Sequence, residues 1–328
     1  MADVLILDSG SDTIKIGRGS ENAPVKLPNM IYKAKNSSSR LFVSNEIDTC
    51  RNKSALFYLS PKENGYTVNW DVQRTIYEHI FYDTLNLDCA NMAAVVTEPE
   101  MDPLANQRTL DELFFEDYGF KALYRCNNSA VVASRYQAMS KSEGCVIVES
   151  GHSSTHIVPY WRGRKITSAV MRLNVGGQLL SNYLKELVSY RQMNLIDEYM
   201  VCARMKEKAC FCVADFKVAM AKKESYAVNY ILPNYTLNTP GRMQTSGETL
   251  DQERDQFIRL KSERFQVPEL LFNPSDAQID QVHGLLVYCS ITKFNSVVFT
   301  RPFIMPFSNV RLINSPFCIA ISWQWVAQ

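Results

Sequence analysis

Two short segments of the chain combine residue types that could grip a phosphate. The first is Asp8-Ser9-Gly10-Ser11, which ends the apolar run Val4 to Leu7. The second is Glu149-Ser150-Gly151-His152-Ser153, which ends the run Cys145 to Val148. Small residues let the backbone approach an anion closely and aim several N–H groups at it. A carboxylate at the strand end, Asp8 in one copy and Glu149 in the other, can hold Mg²⁺ through water opposite that phosphate. Lys15 supplies a point charge on the returning segment. His152 and His156 lie near the second tip, and His156 is the better candidate to direct water onto a phosphate. The bland alternative is a histidine satisfied in the core of a buried strand. Asp-Ser-Gly alone is a common turn, so the weight lies in finding the design twice.

The elements that must position these residues are legible from pattern. Val4 to Leu7 and Thr13 to Gly17 read as a strand pair joined by a polar turn, and Cys145 to Val158 repeats the arrangement. A repeat at this distance implies a duplicated lobe. Between the copies, Met101 to Gly119 reads as a helix with Asp102 as cap, Pro103 in the first turn and Gly119 as stop. Leu110, Leu113 and Phe114 share its inner face. After the second copy, Gly176-Gly177 opens a helix with Leu179, Leu180, Tyr183, Leu184, Leu187 and Val188 on one stripe. Met205, Ala209 and Val213 mark another. Asn36 to Arg40 and Asn234 to Glu253 read as exposed loops. Strands alternate with helices, so the fold class is α/β.

Composition narrows the function classes. The chain has 328 residues, 46% of them apolar, which is enough for one large two-lobed fold. A net charge of +1 gives no electrostatic reason for direct nucleic-acid or membrane binding. Nine cysteines without a CxxC pair suggest buried thiols in a reducing compartment rather than a disulfide frame. The N-terminus lacks the basic and long apolar regions of a signal peptide, which leaves cytosol or nucleus as the expectation. Arg162, Arg164 and Lys165 read as a solvated basic turn, and Lys206 and Glu207 as surface charges.

In order along the chain, these pieces resemble the actin superfamily. DSGSDTIKIG is similar to its first phosphate loop and VIVESGHSSTHIVP to its second. GYTVNWD, TEPEMDPLANQRTLDELFFEDYGFKALY, RLNVGGQLLSNYLKE, MKEKACFCVADF and ERFQVPELLFNPS are similar to further blocks, through about Asp276. LFYLSPKENGYTVNWDVQR and LKELVSYRQMNLIDE resemble the sixth class of nuclear actin-related proteins.

The resemblance implies an actin-like, ribonuclease H-like duplicated fold of two lobes. Its subdomains would be 1–28 with 60–142, a short 29–59, then 143–172 with 262–328, and 173–261. It implies ATP or ADP with Mg, bound by Asp8, Gly10, Ser11, Asp12 and Lys15 at the first loop. At the second loop it implies Gly151, His152, Ser153 and Thr155, with Glu149 in place of the family aspartate. Gly176 and Gly177 would lie near the ribose, and Lys206 and Glu207 on the adenine side. Asp12 replaces a glycine, and an added carboxylate beside phosphates is repulsive unless offset. His152 and Ser153 replace an Asp-Gly pair. The glutamine that positions the attacking water falls near Asn127 or Asn128, so efficient hydrolysis is not expected.

By the same resemblance the chain is a non-catalytic subunit of a nuclear remodelling complex that exchanges a histone variant. It would hold a neighbouring subunit and meet histones or the nucleosome indirectly, beside a separate helicase-type motor. Nucleus, and also cytoplasm, is the expected location, with no membrane partner. The alternative is an ATP-hydrolysing, polymerising actin, but 29–52 is short and unlike the loop that enters the next protomer. A sugar kinase or chaperone ATPase of the same fold is a further reading, since fold does not fix function. FSNVRL resembles a late family strand, yet INSPF follows without the glycine pair, so the C-terminal part is expected to be incomplete.

Overall fold

The computed structural model describes residues 3–34, 41–50, 53, 56–139, 143–237, 239–245, 247–250 and 255–277, with the backbone of two later strands. These fall into two compact units, one of 3–143 with Tyr160–Lys165, the other of Gly144–Pro159 and the described residues from Ile166 on.

The first unit opens with strands β1 (Val4–Ser9), β2 (Thr13–Arg18) and β3 (Val25–Pro28). A small sheet of β4 (Ile31–Ala34), β5 (Leu41–Val43) and β6 (Leu56–Leu59) follows, in the order β5-β4-β6. Next come a hairpin, β7 (Lys62–Glu63) and β8 (Tyr66–Thr67), then β9 (Ala93–Glu98) and β10 (Ala122–Asn127). The main sheet has the order β10-β9-β1-β2-β3, parallel across β10, β9 and β1 and antiparallel from β1 to β3. Alternation sets its faces: Leu5, Leu7, Ile14 and Ile16 are fully buried, while Ile6 between them is 46% exposed.

Helices α1 (Trp70–Glu78), α2 (Leu104–Glu112) and α3 (Asn128–Met139) complete this unit. Asn69 caps α1 by accepting from the Val72 amide. π-helical turns extend α1 through Thr84 and α2 through Asp117. They bring Phe81, Phe114, Tyr118 and Phe120 into a mesh of stacked and edge-on rings. Gly119, at φ +69°, ends this segment as anticipated. Asp102 does not cap α2. Pro103 holds the cap position, and Asp102 accepts from the Asn106 side chain instead.

The second unit repeats the sheet. Its strands are β11 (Gly144–Ser150), β12 (Thr155–Trp161, through Pro159) and β14 (Met171–Leu173), with β18 (Ser296–Phe299) and β19 (Cys318–Ala320), while β13 (Arg164–Lys165), which pairs with the end of β12, counts with the first unit. The order is β13-β12-β11-β18-β19, with β14 also on β12, and β11, β18 and β19 are parallel. A three-stranded sheet of β15 (Val228–Ile231), β16 (Arg242–Met243) and β17 (Phe257–Leu260) has the order β16-β15-β17.

Helices α4 (Gly177–Arg191), α5 (Tyr199–Ala209), α6 (Phe216–Ala221) and α7 (Glu263–Glu269) complete it. The stripe read on α4 buries Leu180, Leu184 and Val188 against α5 residues Cys202, Met205 and Ala209. Val213 lies beyond α5, which ends where Cys210 turns extended. The expected loop Asn234 to Glu253 contains β16, because Arg242 and Met243 pair with β15. The loop Asn36 to Arg40 and the C-terminal glycine-pair region lie outside the described residues. Among the described residues, no helix is long and apolar enough to cross a membrane.

Candidate functional site: two loop tips

The first tip joins β1 to β2, with Asp8 directly opposite Lys15. Lys15 Nζ donates to Asp8 Oδ2 at 2.8 Å. Asp8 Oδ1 accepts from Thr97 Oγ1 at 2.8 Å and from Asn128 Nδ2 at 3.3 Å. Three elements therefore aim one carboxylate from the strand end. The Gly10 amide turns back to the carbonyls of Asp8 and Thr13, each at 3.2 Å. A Cβ on Gly10 would lie 2.6 Å from the Thr13 oxygen, so only glycine allows so tight a turn.

The carbonyls of this tip are anchored by protein donors. Fully buried Asn29 donates its amide to Asp12 O at 2.9 Å and its side chain to Gly10 O at 2.8 Å. Tyr77 donates its hydroxyl to Ser9 Oγ at 2.8 Å. Burial raises the Tyr77 phenol far above its ordinary range, so it remains a donor at any physiological pH. Ser11 and Asp12 are half-buried at the tip itself.

The second tip joins β11 to β12. The Gly151 amide donates to Ser154 O at 2.9 Å, which closes the turn. The first amides of α4 then seize its carbonyls: Gly177 N donates to Gly151 O at 2.9 Å and Gln178 N to His152 O at 2.8 Å. Helix-start amides need acceptors outside the helix, and here the tip supplies them. Gly176 permits the approach, since a Cβ there would lie 2.6 Å from His152 O, Ser153 C and Ser154 N alike. Thr155 Oγ1 adds a bond to Val175 O at 2.8 Å. Glu149 and Ser153 are half-buried, and His156 is 8% exposed on β12, opposite Arg172 of β14.

Lys206 corrects an expectation. It is 9% exposed rather than a surface charge, and Nζ donates to Gly177 O at 2.8 Å and Ser181 Oγ at 2.9 Å. It thus pins the start of α4, while adjacent Glu207 is exposed. Lys165 is a second correction. Instead of a solvated turn end, its Nζ lies 2.8 Å from Glu100 Oε2, a carboxylate only 1% exposed, and 2.8 Å from Asn127 Oδ1. Ser129 bonds both to Glu100 and to the Tyr160 hydroxyl, so the network is shared. Arg162 does sit at an exposed turn, paired with Glu143.

The two asparagines take different partners. Asn128 meets Asp8, whereas Asn127 turns its amide to the carbonyls of Glu98 and Pro99. The first-tip residues suit a magnesium-bearing phosphate. Asp8 is a single strand-end carboxylate, which matches a Mg²⁺ that keeps its waters, and the cradle at Gly10 excludes larger residues. Among the described residues, no group of three or more His, Cys, Asp or Glu side chains is arranged to hold a metal directly.

The actin family model matches residues 1–297. The chain belongs to the actin family. It is similar to Actin-related protein 6 of Drosophila melanogaster, with 39% identity over 293 residues, covering 85% of this chain and 74% of that relative. Actin-related protein 6 of Arabidopsis thaliana is 32% identical over 338 residues, covering 90% and 78%. That of Neurospora crassa is 31% identical over 317 residues, covering 84% and 70%. The duplicated sheets are therefore those of an actin fold.

Proposed function

We propose that this chain is a non-catalytic structural subunit of a nuclear chromatin-remodelling complex that exchanges a histone variant into nucleosomes. The carrying observation is 39% identity to Actin-related protein 6 of Drosophila melanogaster across 85% of the chain. The fold is that of a family whose members bind nucleotide with Mg, and the first tip offers residues to hold it. Asp8 would meet the metal through water, Lys15 would balance charge, and the small residues Gly10 and Ser11 would face the phosphates. ATP or ADP then acts as a structural ligand.

Absence of turnover is part of this reading, and the two asparagines support it. A shorter amide, Asn127 or Asn128, stands where the resemblance places a glutamine, and Asn128 directs its Nδ2 to Asp8 Oδ1. A side chain committed to a carboxylate is poorly placed to orient a water for attack. The partners of this reading are the complex subunits, including a helicase-type motor, with histones met indirectly. The test is purification of the tagged full chain from nuclear extract with mass spectrometry of what accompanies it. Recovery of a helicase-type motor and histone-exchange subunits is expected. A preparation that carries no remodelling subunit, or that carries filament proteins instead, overturns the proposal.

A further inference from the structure

We infer that Gln73 is a positioning residue of the first tip: through Asn29 it fixes the direction of the Gly10–Ser11 peptide and so presents the Ser11 amide to a phosphate. This rests on the reading of that tip as a nucleotide site. Asn29 follows β3, Gln73 lies in α1, and both are fully buried. Gln73 Nε2 donates to Asn29 Oδ1 at 3.1 Å, and Asn29 Nδ2 returns a bond to Gln73 Oε1 at 3.3 Å. The same Nδ2 also donates to Gly10 O at 2.8 Å, while the Asn29 backbone amide donates to Asp12 O at 2.9 Å. One turn further along α1, the Tyr77 hydroxyl reaches Ser9 Oγ at 2.8 Å. One face of α1 therefore holds the tip twice, at Ser9 directly and at Gly10 through Asn29.

The pair sets orientation rather than charge. An amide nitrogen carries two hydrogens, and Asn29 commits one to Gly10 O and one to Gln73 Oε1. Turned over, Asn29 would set Oδ1 against Gly10 O, acceptor against acceptor, in a place without water to relieve it. The observed arrangement satisfies the oxygen and the nitrogen of both side chains and the carbonyl of the tip together. Every described peptide bond is trans, so a carbonyl and the N–H that follows it point in opposite directions. With Gly10 O drawn towards Asn29, the Ser11 N–H is directed away from the buried pair, the side from which an anion would approach. A backbone donor held in that direction beforehand binds phosphate without first having to reorganise.

The experiment titrates the full-length chain with a fluorescent ATP analogue and Mg²⁺, beside thermal melts of each variant. Wild type binds. Gln73→Met, which keeps the length of the side chain, weakens binding by about tenfold, the scale of one hydrogen bond to a charged group. Asn29→Leu weakens it at least as much, and adding Gln73→Met to Asn29→Leu costs nothing further in affinity, because Gln73 acts through Asn29. Stability behaves differently. Removing both polar partners leaves neither stranded, so the double variant melts closer to wild type than either single variant does. Its affinity nevertheless stays low, since Gly10 O has lost its donor; a merely structural pair would regain affinity along with stability. Should a single variant fail to fold, the double variant still decides. Unchanged affinity in Gln73→Met, or affinity that returns with stability in the double variant, overturns the role of Gln73 while leaving the site intact. No binding by wild type overturns the nucleotide reading itself, and this inference with it.

Discussion

The two halves of this molecule use one frame with opposite local solutions. The order β10-β9-β1-β2-β3 in the first unit corresponds to β19-β18-β11-β12-β14 in the second. Both put a small-residue tip between the central strand and its hairpin partner. In the first, polar and charged side chains reach the tip: Lys15 and Asn128 meet Asp8, and Lys62 reaches Ser9. In the second, backbone meets backbone, as the α4 amides close on the carbonyls of Gly151 and His152. The same sheet can thus present a tip tuned by movable charges or one welded to a helix. The difference lies in the residues around the tip, not in the fold.

That comparison can be broken at several points. The largest effect is expected in the first unit at its buried network. Lys165→Met strands Glu100, 1% exposed, without its cation, and should destabilise by about 3 kcal/mol or more in denaturant melts. Pairing it with Glu100→Gln should recover much of that loss, which a cavity effect would not.

Next comes Gly176→Ala, which forces a Cβ into three backbone atoms of the second tip. A loss of about 1–3 kcal/mol is expected, with exchange of the Gly177 and Gln178 amides accelerated. Gly10→Ala meets a single backbone atom inside 3 Å, so it should disturb stability less and anion binding more. Equal effects at both glycines would remove the distinction between the tips.

A third effect concerns pH. Burial pushes Cys145 up to about 11 and Cys202 and Cys210 up to about 12, all in the second unit. The folded state keeps these protons after the unfolded chain, near 9, has released them. Stability is therefore unaffected below about pH 9 and falls as pH rises from there towards 12. The first unit has Cys89, raised to about 11 by burial first. Between about pH 9 and 10, before tyrosines such as the buried Tyr77 and Tyr118 of the first unit enter the balance, amide exchange should show the second unit loosening more. Native alkylation at pH 8 should spare Cys202 and Cys210. The smallest effect is Thr155→Val, which removes the bonds to Val175 O and Ser150 Oγ and should cost about 1 kcal/mol.

Both hairpins were readable because alternation and Asp-Ser-Gly or Ser-Gly turns are local signals. So was the α4 stripe, whose period places Leu180, Leu184 and Val188 inward. Three charged residues were not. Lys206 looks like any helix-surface lysine until α4 packs beside α5 and offers it Gly177 O. Lys165 reads as a turn cation because its partner Glu100 is 65 positions away. Lys62 went unnoticed although Asn64-Gly65 marks the hairpin that carries it; the hairpin is local, but its target is not. Asp102 misled for a different reason. Pro103 took the cap position, so the acid was displaced one residue outward. Sequence pattern reports which face is buried far better than which buried charge meets which.

The central claim, a structural subunit rather than a working ATPase, is most directly tested by single-turnover hydrolysis. The full-length chain would be mixed with substoichiometric γ-labelled ATP and Mg²⁺, and phosphate release followed beside a chain-free control. The account predicts retained nucleotide and no release above that control, with Asn127→Gln or Asn128→Gln the variants expected to raise it. Robust release by the unaltered chain would contradict it.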